Sequence, residues 1–150
     1  MWSAALASYI HVLSLAIGLP AIFLRWRALA GGPTTPERAA KALYADNLWG
    51  ISALTWLGSG LWRALGGTDK PWAFYDGHGL FWAKMTVLGV TFALELAPMV
   101  VLIGWRVAAA RGRPPAYHHG GWIGVISAIE TALVLVIALL ATLMARGIGY

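Results

Sequence analysis

The sequence predicts an all-α integral membrane protein: a four-helix bundle with short loops, forming a single transmembrane domain over residues 1–150. Three observations lead there. Of the 150 residues, 59% are hydrophobic and only 11% are charged. An ordinary soluble domain carries about 25% charged residues, so this chain cannot coat a soluble core of its size. The apolar residues gather into four runs, at about 3–24, 43–65, 79–105 and 122–145. Each is near the ~20 residues that cross a ~30 Å hydrocarbon layer. The basic residues, finally, collect in alternate intervals between those runs.

The first run lacks a basic start and is followed by Arg25 and Arg27. It therefore reads as a retained span and not as a cleaved signal peptide. AGGPTTPE (30–37) separates it from the second run, GGTDKPWAFYDGHG (66–79) follows the second, and RGRPPAYHHGG (111–121) follows the third. Glycine and proline break helices there, and the polar residues keep the turns in water. Pro20 and Pro98 fall inside spans one and three. Each frees a carbonyl one turn earlier, at Ala16 and Leu94, and is expected to bend its helix.

Orientation follows from charge. Arg25, Arg27, Arg38 and Lys41 occupy one interval, and Arg106, Arg111 and Arg113 another. Both loops are expected on the cytoplasmic side, which places both termini and the loop 66–78 outside. The net charge of +5 forms no continuous basic groove, so nucleic acid is not the expected partner; the lipid bilayer is. Tryptophans at positions 2, 62, 72 and 82 fall near the outer boundary, and those at 26, 105 and 122 near the inner one, where an indole keeps its ring in lipid and its N–H wet. Trp49 and Trp56 are expected to pack between helices. The chain has no cysteine, which excludes disulfides, thiolate metal sites and thiol nucleophiles.

Ionisable groups inside spans cost about 2.5–3.5 kcal/mol each at mid-depth, so they should face the bundle or its boundary. In HGLFWAKMTVLGVTFALELAPMV (78–100), Lys84 and Glu95 are close to three whole turns apart. They share a helix face with Leu88 and Thr91 but lie ~16 Å apart along the axis, so each needs its own partner. By depth, His11, Arg63, His78 and Lys84 form an outer cluster. Asp69 and Asp76 in the neighbouring loop are its nearest carboxylates. Positive charge around a histidine suits an anionic group brought by a ligand. Ala7, Ser14 and Gly18 share the His11 face and leave room for it. Arg25, Asp46, Asn47 and Glu95 form an inner cluster that can satisfy its own charges and hold helices together. Glu130 stands alone near mid-depth. His118 and His119 are adjacent, and adjacent side chains diverge, so no shared metal is expected there.

Several stretches resemble a known family: HVLSLAIGL with His11, YADNLWGISALTWLGSGLWR at 44–63, HGLFWAKM at 78–85 and LELAPMV at 94–100. Together they resemble a bacterial family of small four-helix membrane proteins without assigned function, which implies a multi-pass protein of the bacterial cytoplasmic (inner) membrane. More distantly, the plan is similar to the HemJ-type protoporphyrinogen oxidases, which have a histidine in the first span, a W-x-x-K element later, and haem b. His11 matches the first feature and FWAK (81–84) approximates the second, with its tryptophan two positions from Lys84. The resemblance implies haem b, with His11 on the iron, Arg63 and Lys84 facing the propionates, and His78 as a second ligand if its loop folds back.

Three functions follow as expectations. One is a redox-active haem protein that carries electrons or oxidises a tetrapyrrole. Another is a noncatalytic subunit of a larger membrane complex. The third is an ion or metal permease with Asp46, Glu95 and Glu130 along its path; four helices enclose little room, so that reading needs a homo-oligomer.

Overall fold

The computed structural model describes residues 2–66 and 70–148. Among them are five α-helices: α1 (Trp2–Leu29), α2 (Pro36–Leu65), α3 (Trp72–Asp76), α4 (Gly79–Ala110) and α5 (Gly120–Ala145). Four are long, and the short α3 corrects the expectation of four, since it forms where the sequence reads as loop. A 3₁₀ turn, Tyr117–His119, leads straight into α5.

The long helices exceed the apolar runs. α2 starts seven residues before its run because Thr35 caps it, its hydroxyl accepting from the Arg38 N–H at 3.3 Å with Pro36 in the first turn. α1 stops where Gly31 and Gly32 take φ of 80° and 135°, backbone that glycine adopts without strain. Arg38 closes that end. Its Nε donates to the Ala28 carbonyl at 2.8 Å and its Nη2 to that of Ala30, groups a helix C-terminus leaves unsatisfied. Both α1 and α4 continue through Pro20 and Pro98 without interruption.

α1 packs closely on α2 and on α5, and α5 on α4. Lipid removes the hydrophobic drive between helices, so close packing by small residues takes over. On α1 the buried face runs Ser14, Gly18, Ala21, Arg25; on α2 it runs Ala39, Ala42, Ala45, Trp49, Ser52, Trp56. A side chain on Gly18 would place its Cβ 3.0 Å from that of Ser52. Two apolar clusters result. Leu29, Ala39, Ala42, Leu102, Trp105 and Ile123 close the end bearing the basic loops, called the basic end below. Ala21, Ile22, Trp49, Ala53 and Val134 form a second. Trp49 and Trp56 pack between helices as the sequence implied. Trp105 is buried against the neighbouring elements, and its indole N–H donates to the Ala116 carbonyl at 3.2 Å.

Three helical stretches among the described residues are long and apolar enough to cross a membrane: α1, α4 and Tyr117–Ala145. The expected count was four. α2 falls short because Asp46, Asn47, its hydroxyls and its glycines dilute the apolar run.

Candidate functional site

The polar centre of the bundle is built on Arg25, which is completely buried. A guanidinium has five N–H donors in a fixed plane. Here all five are used. Nε donates to Ser127 Oγ at 2.9 Å. Nη1 donates to Asp46 Oδ1 at 2.6 Å and to Glu95 Oε1 at 2.7 Å. Nη2 donates to Glu95 Oε2 at 2.6 Å and to Glu130 Oε2 at 2.8 Å. Glu95 thus receives a two-pronged contact, the strongest form of this pairing. The acceptors come from α2, α4 and α5 and the donor from α1, so one side chain ties all four long helices together.

A second arginine extends the network. Arg106 Nη2 donates to Asp46 Oδ2 at 2.6 Å and to Asn47 Oδ1 at 2.8 Å. Exposure falls along the chain of contacts, from 32% for the Arg106 side chain to 12% for Asp46 and zero for Arg25 and Glu130. Three carboxylates therefore meet two guanidinium groups. Glu130 is half satisfied: its Oε1 is buried and accepts no hydrogen bond among the described residues.

The four residues expected as an inner cluster are thus brought together. Glu130 is not alone, which corrects the reading of that residue: the azimuth of α5 turns it onto Arg25. Arg106 was assigned to a loop and instead stands on α4 and reaches Asp46 on α2.

Toward the opposite end, the α1–α2 seam carries a row of small polar groups. His11 Nδ1 lies 3.0 Å from the Trp56 carbonyl and 3.1 Å from Ser59 Oγ. Ser14 Oγ donates to Thr55 Oγ1 at 2.8 Å. Gly60 lets the ring approach, since a Cβ there would sit 3.1 Å from His11 Cε1. The Lys84 ammonium stands 5.3 Å from the centre of the Phe81 ring. His78 is fully buried at the start of α4, beside Phe74 with ring centres 5.8 Å apart. Asp76 is exposed at the end of α3, and Asp69 lies outside the described residues. His118 and His119 do not diverge. The 3₁₀ turn sets their rings 4.0 Å apart, although no group of three or more metal-binding side chains occurs among the described residues.

Residues 3–149 match the family described as predicted membrane protein (DUF2214). The chain belongs to that family. No curated protein and no solved structure matches it. The family's membrane character accords with the three apolar helices. In this member, the signal that could have aimed Glu130 inward was present: Ser127, Glu130 and Thr131 recur at helical spacing on an otherwise apolar α5, with Gly124 on the same buried face.

Proposed function

We propose that this is a proton-handling membrane protein, with the Arg25 network as its proton-binding element and α2 crossing the bilayer beside α1 as a fourth span. The observation that carries this is the charge balance: Asp46, Glu95 and Glu130 face Arg25 and Arg106, leaving one carboxyl group without a counter-charge. A purely structural tie needs one carboxylate per arginine. A surplus one in an apolar interior is costly and points to function. The guanidinium occupies the position between the carboxyls where a metal ion would sit, so the missing positive charge is a proton, which needs no coordination sphere. Arg106 and Asp46 link the network to water at the basic end. The hydroxyls of Ser14, Thr55 and Ser59 line the α1–α2 seam beside His11, and Trp49, Ile22 and Val134 are the apolar barrier between that seam and the network. The test is proton flux into liposomes holding the purified protein, driven by an imposed potential and read by an internal pH dye. Wild type should exceed Glu130→Gln by about tenfold. Flux equal to that of empty liposomes would overturn the reading.

A second reading is favoured by the His11 ring. Its Nδ1 is held by a main-chain carbonyl and a hydroxyl, an arrangement that fixes a ring and leaves Nε2 for a metal. In this reading His11 ligates haem b iron, Arg63 and Lys84 pair with the propionates, and the haem supplies one-electron chemistry. A reduced-minus-oxidised visible spectrum of wild type and His11→Ala tests it. Haem bands lost in the variant are expected, and no bands in wild type would remove the reading.

A further inference from the structure

We infer that the groove between the end of α1 and the start of α2 is a binding site for an anionic phospholipid. The groove encloses about 620 Å³. Because α1 and α2 run antiparallel here, their chemistry changes in step. At the basic end the walls carry Arg27 and Lys41; one turn deeper they carry Leu24 and Tyr44. Cations thus stand at one level and apolar surface at the next on both walls.

The cations are available. Arg27 and Lys41 are exposed, and neither has a hydrogen bond or ion pair to another side chain among the described residues. Glu37 stands one turn before Lys41 on the same exposed helix face and makes no ion pair with it among the described residues. Arg38 also lines the groove, but its nitrogens are committed to the carbonyls of Ala28, Ala30 and Pro33. It fixes the shape of the mouth and adds a permanent positive charge. Tyr44 is 67% exposed, so its ring can lie along an acyl chain while its hydroxyl reaches the headgroup level.

A phosphodiester at the mouth would meet Arg27 and Lys41, and its acyl chains would follow the apolar wall into the hydrocarbon. A soluble phosphate could use the cations but not the deeper wall, which is why the site is assigned to a lipid. Basic clusters at the membrane surface attract anionic lipids in this way. The site is remote in character from the Arg25 network, since its charges face outward and make no contact with Asp46, Glu95 or Glu130.

The test is native mass spectrometry of the protein in mild detergent with added phosphatidylglycerol or phosphatidylcholine of the same acyl chains. Wild type should retain one phosphatidylglycerol with about tenfold preference over phosphatidylcholine. The Arg27→Gln/Lys41→Gln double variant should lose that preference, and Arg111→Gln/Arg113→Gln, which removes equal charge elsewhere on the same end, should keep it. Both pairs are exposed, so unchanged melting without added lipid verifies that the variants fold. Equal retention in the first double variant, or equal loss in the second, would overturn the site. So would displacement of the lipid by inorganic phosphate at matched concentration, which would assign the cations to a soluble anion.

Discussion

Arg25 and Glu130, 105 positions apart in the chain, meet at 2.8 Å with neither side chain exposed to solvent. Such a contact holds helices α1 and α5 in one register, and losing its arginine leaves carboxyl groups without their counter-charge in an apolar interior. Arg25→Leu should therefore be severe, since it leaves three carboxyl groups with Arg106 alone as their counter-charge. A loss of at least about 3–5 kcal/mol is expected, read as thermal or denaturant unfolding in detergent. Arg25→Lys should recover only part of it, because an ammonium offers three donors where five are used.

Loss of a carboxyl group should be gentler than loss of the arginine. Glu130→Gln leaves two carboxylates opposite two guanidinium groups, so bundle stability should fall far less than in Arg25→Leu. Arg106→Gln should cost about 0–1 kcal/mol, the usual range for a partly exposed pair. A double-mutant cycle with Asp46→Asn checks this: a coupling energy as large as that between Arg25 and Asp46 would contradict the outward position of Arg106.

Helix approach at the α1–α2 seam gives a packing test. Gly18→Ala places a Cβ 3.0 Å from Ser52 and 3.4 Å from the Trp49 ring, and should destabilise by about 1–3 kcal/mol through overpacking. Gly58→Ala, on the same pair of helices, meets nothing within 4 Å and should leave melting unchanged or slightly raised.

Topology is open to a clean chemical test because the chain has no cysteine. Single cysteines at Glu37, Lys70 and Arg113 should divide between the two sides of the membrane. With α2 crossing and the basic loops inside, an impermeant thiol reagent should label position 70 in intact cells, and positions 37 and 113 only after permeabilisation. Labelling of 37 and 70 from the same side would show that α2 does not cross.

Much of this arrangement could be read before folding, and the parts that could not have a common cause. Depth along a helix is linear in residue number, so matching Asp46, Glu95 and Arg25 by level was possible. Azimuth is not: whether Glu130 faces Arg25 or lipid depends on the rotation of α5, and its sign in the sequence is the spacing of Ser127, Glu130 and Thr131, which depth does not read. Arg106 was missed for a related reason. It lies beyond the apolar run, but α4 continues to Ala110, and the long side chain spans to Asp46 on α2. α3 was missed because five residues flanked by proline and glycine carry no helical periodicity. His11, Arg63, His78 and Lys84 were grouped by depth alone, which says nothing about contacts between them. The hydroxyls of Thr55 and Ser59 beside them become evident only once α1 and α2 are paired.

The most direct test of the surplus carboxyl group is infrared spectroscopy of the protein in lipid nanodiscs, reading the C=O stretch of a neutral carboxylic acid shielded from water. Wild type at neutral pH should show one such band. Asp46→Asn, Glu95→Gln and Glu130→Gln should each abolish it, because any one of them balances two carboxylates against Arg25 and Arg106. Absence of the band in wild type, or its survival unchanged in all three variants, would contradict a proton held by this network.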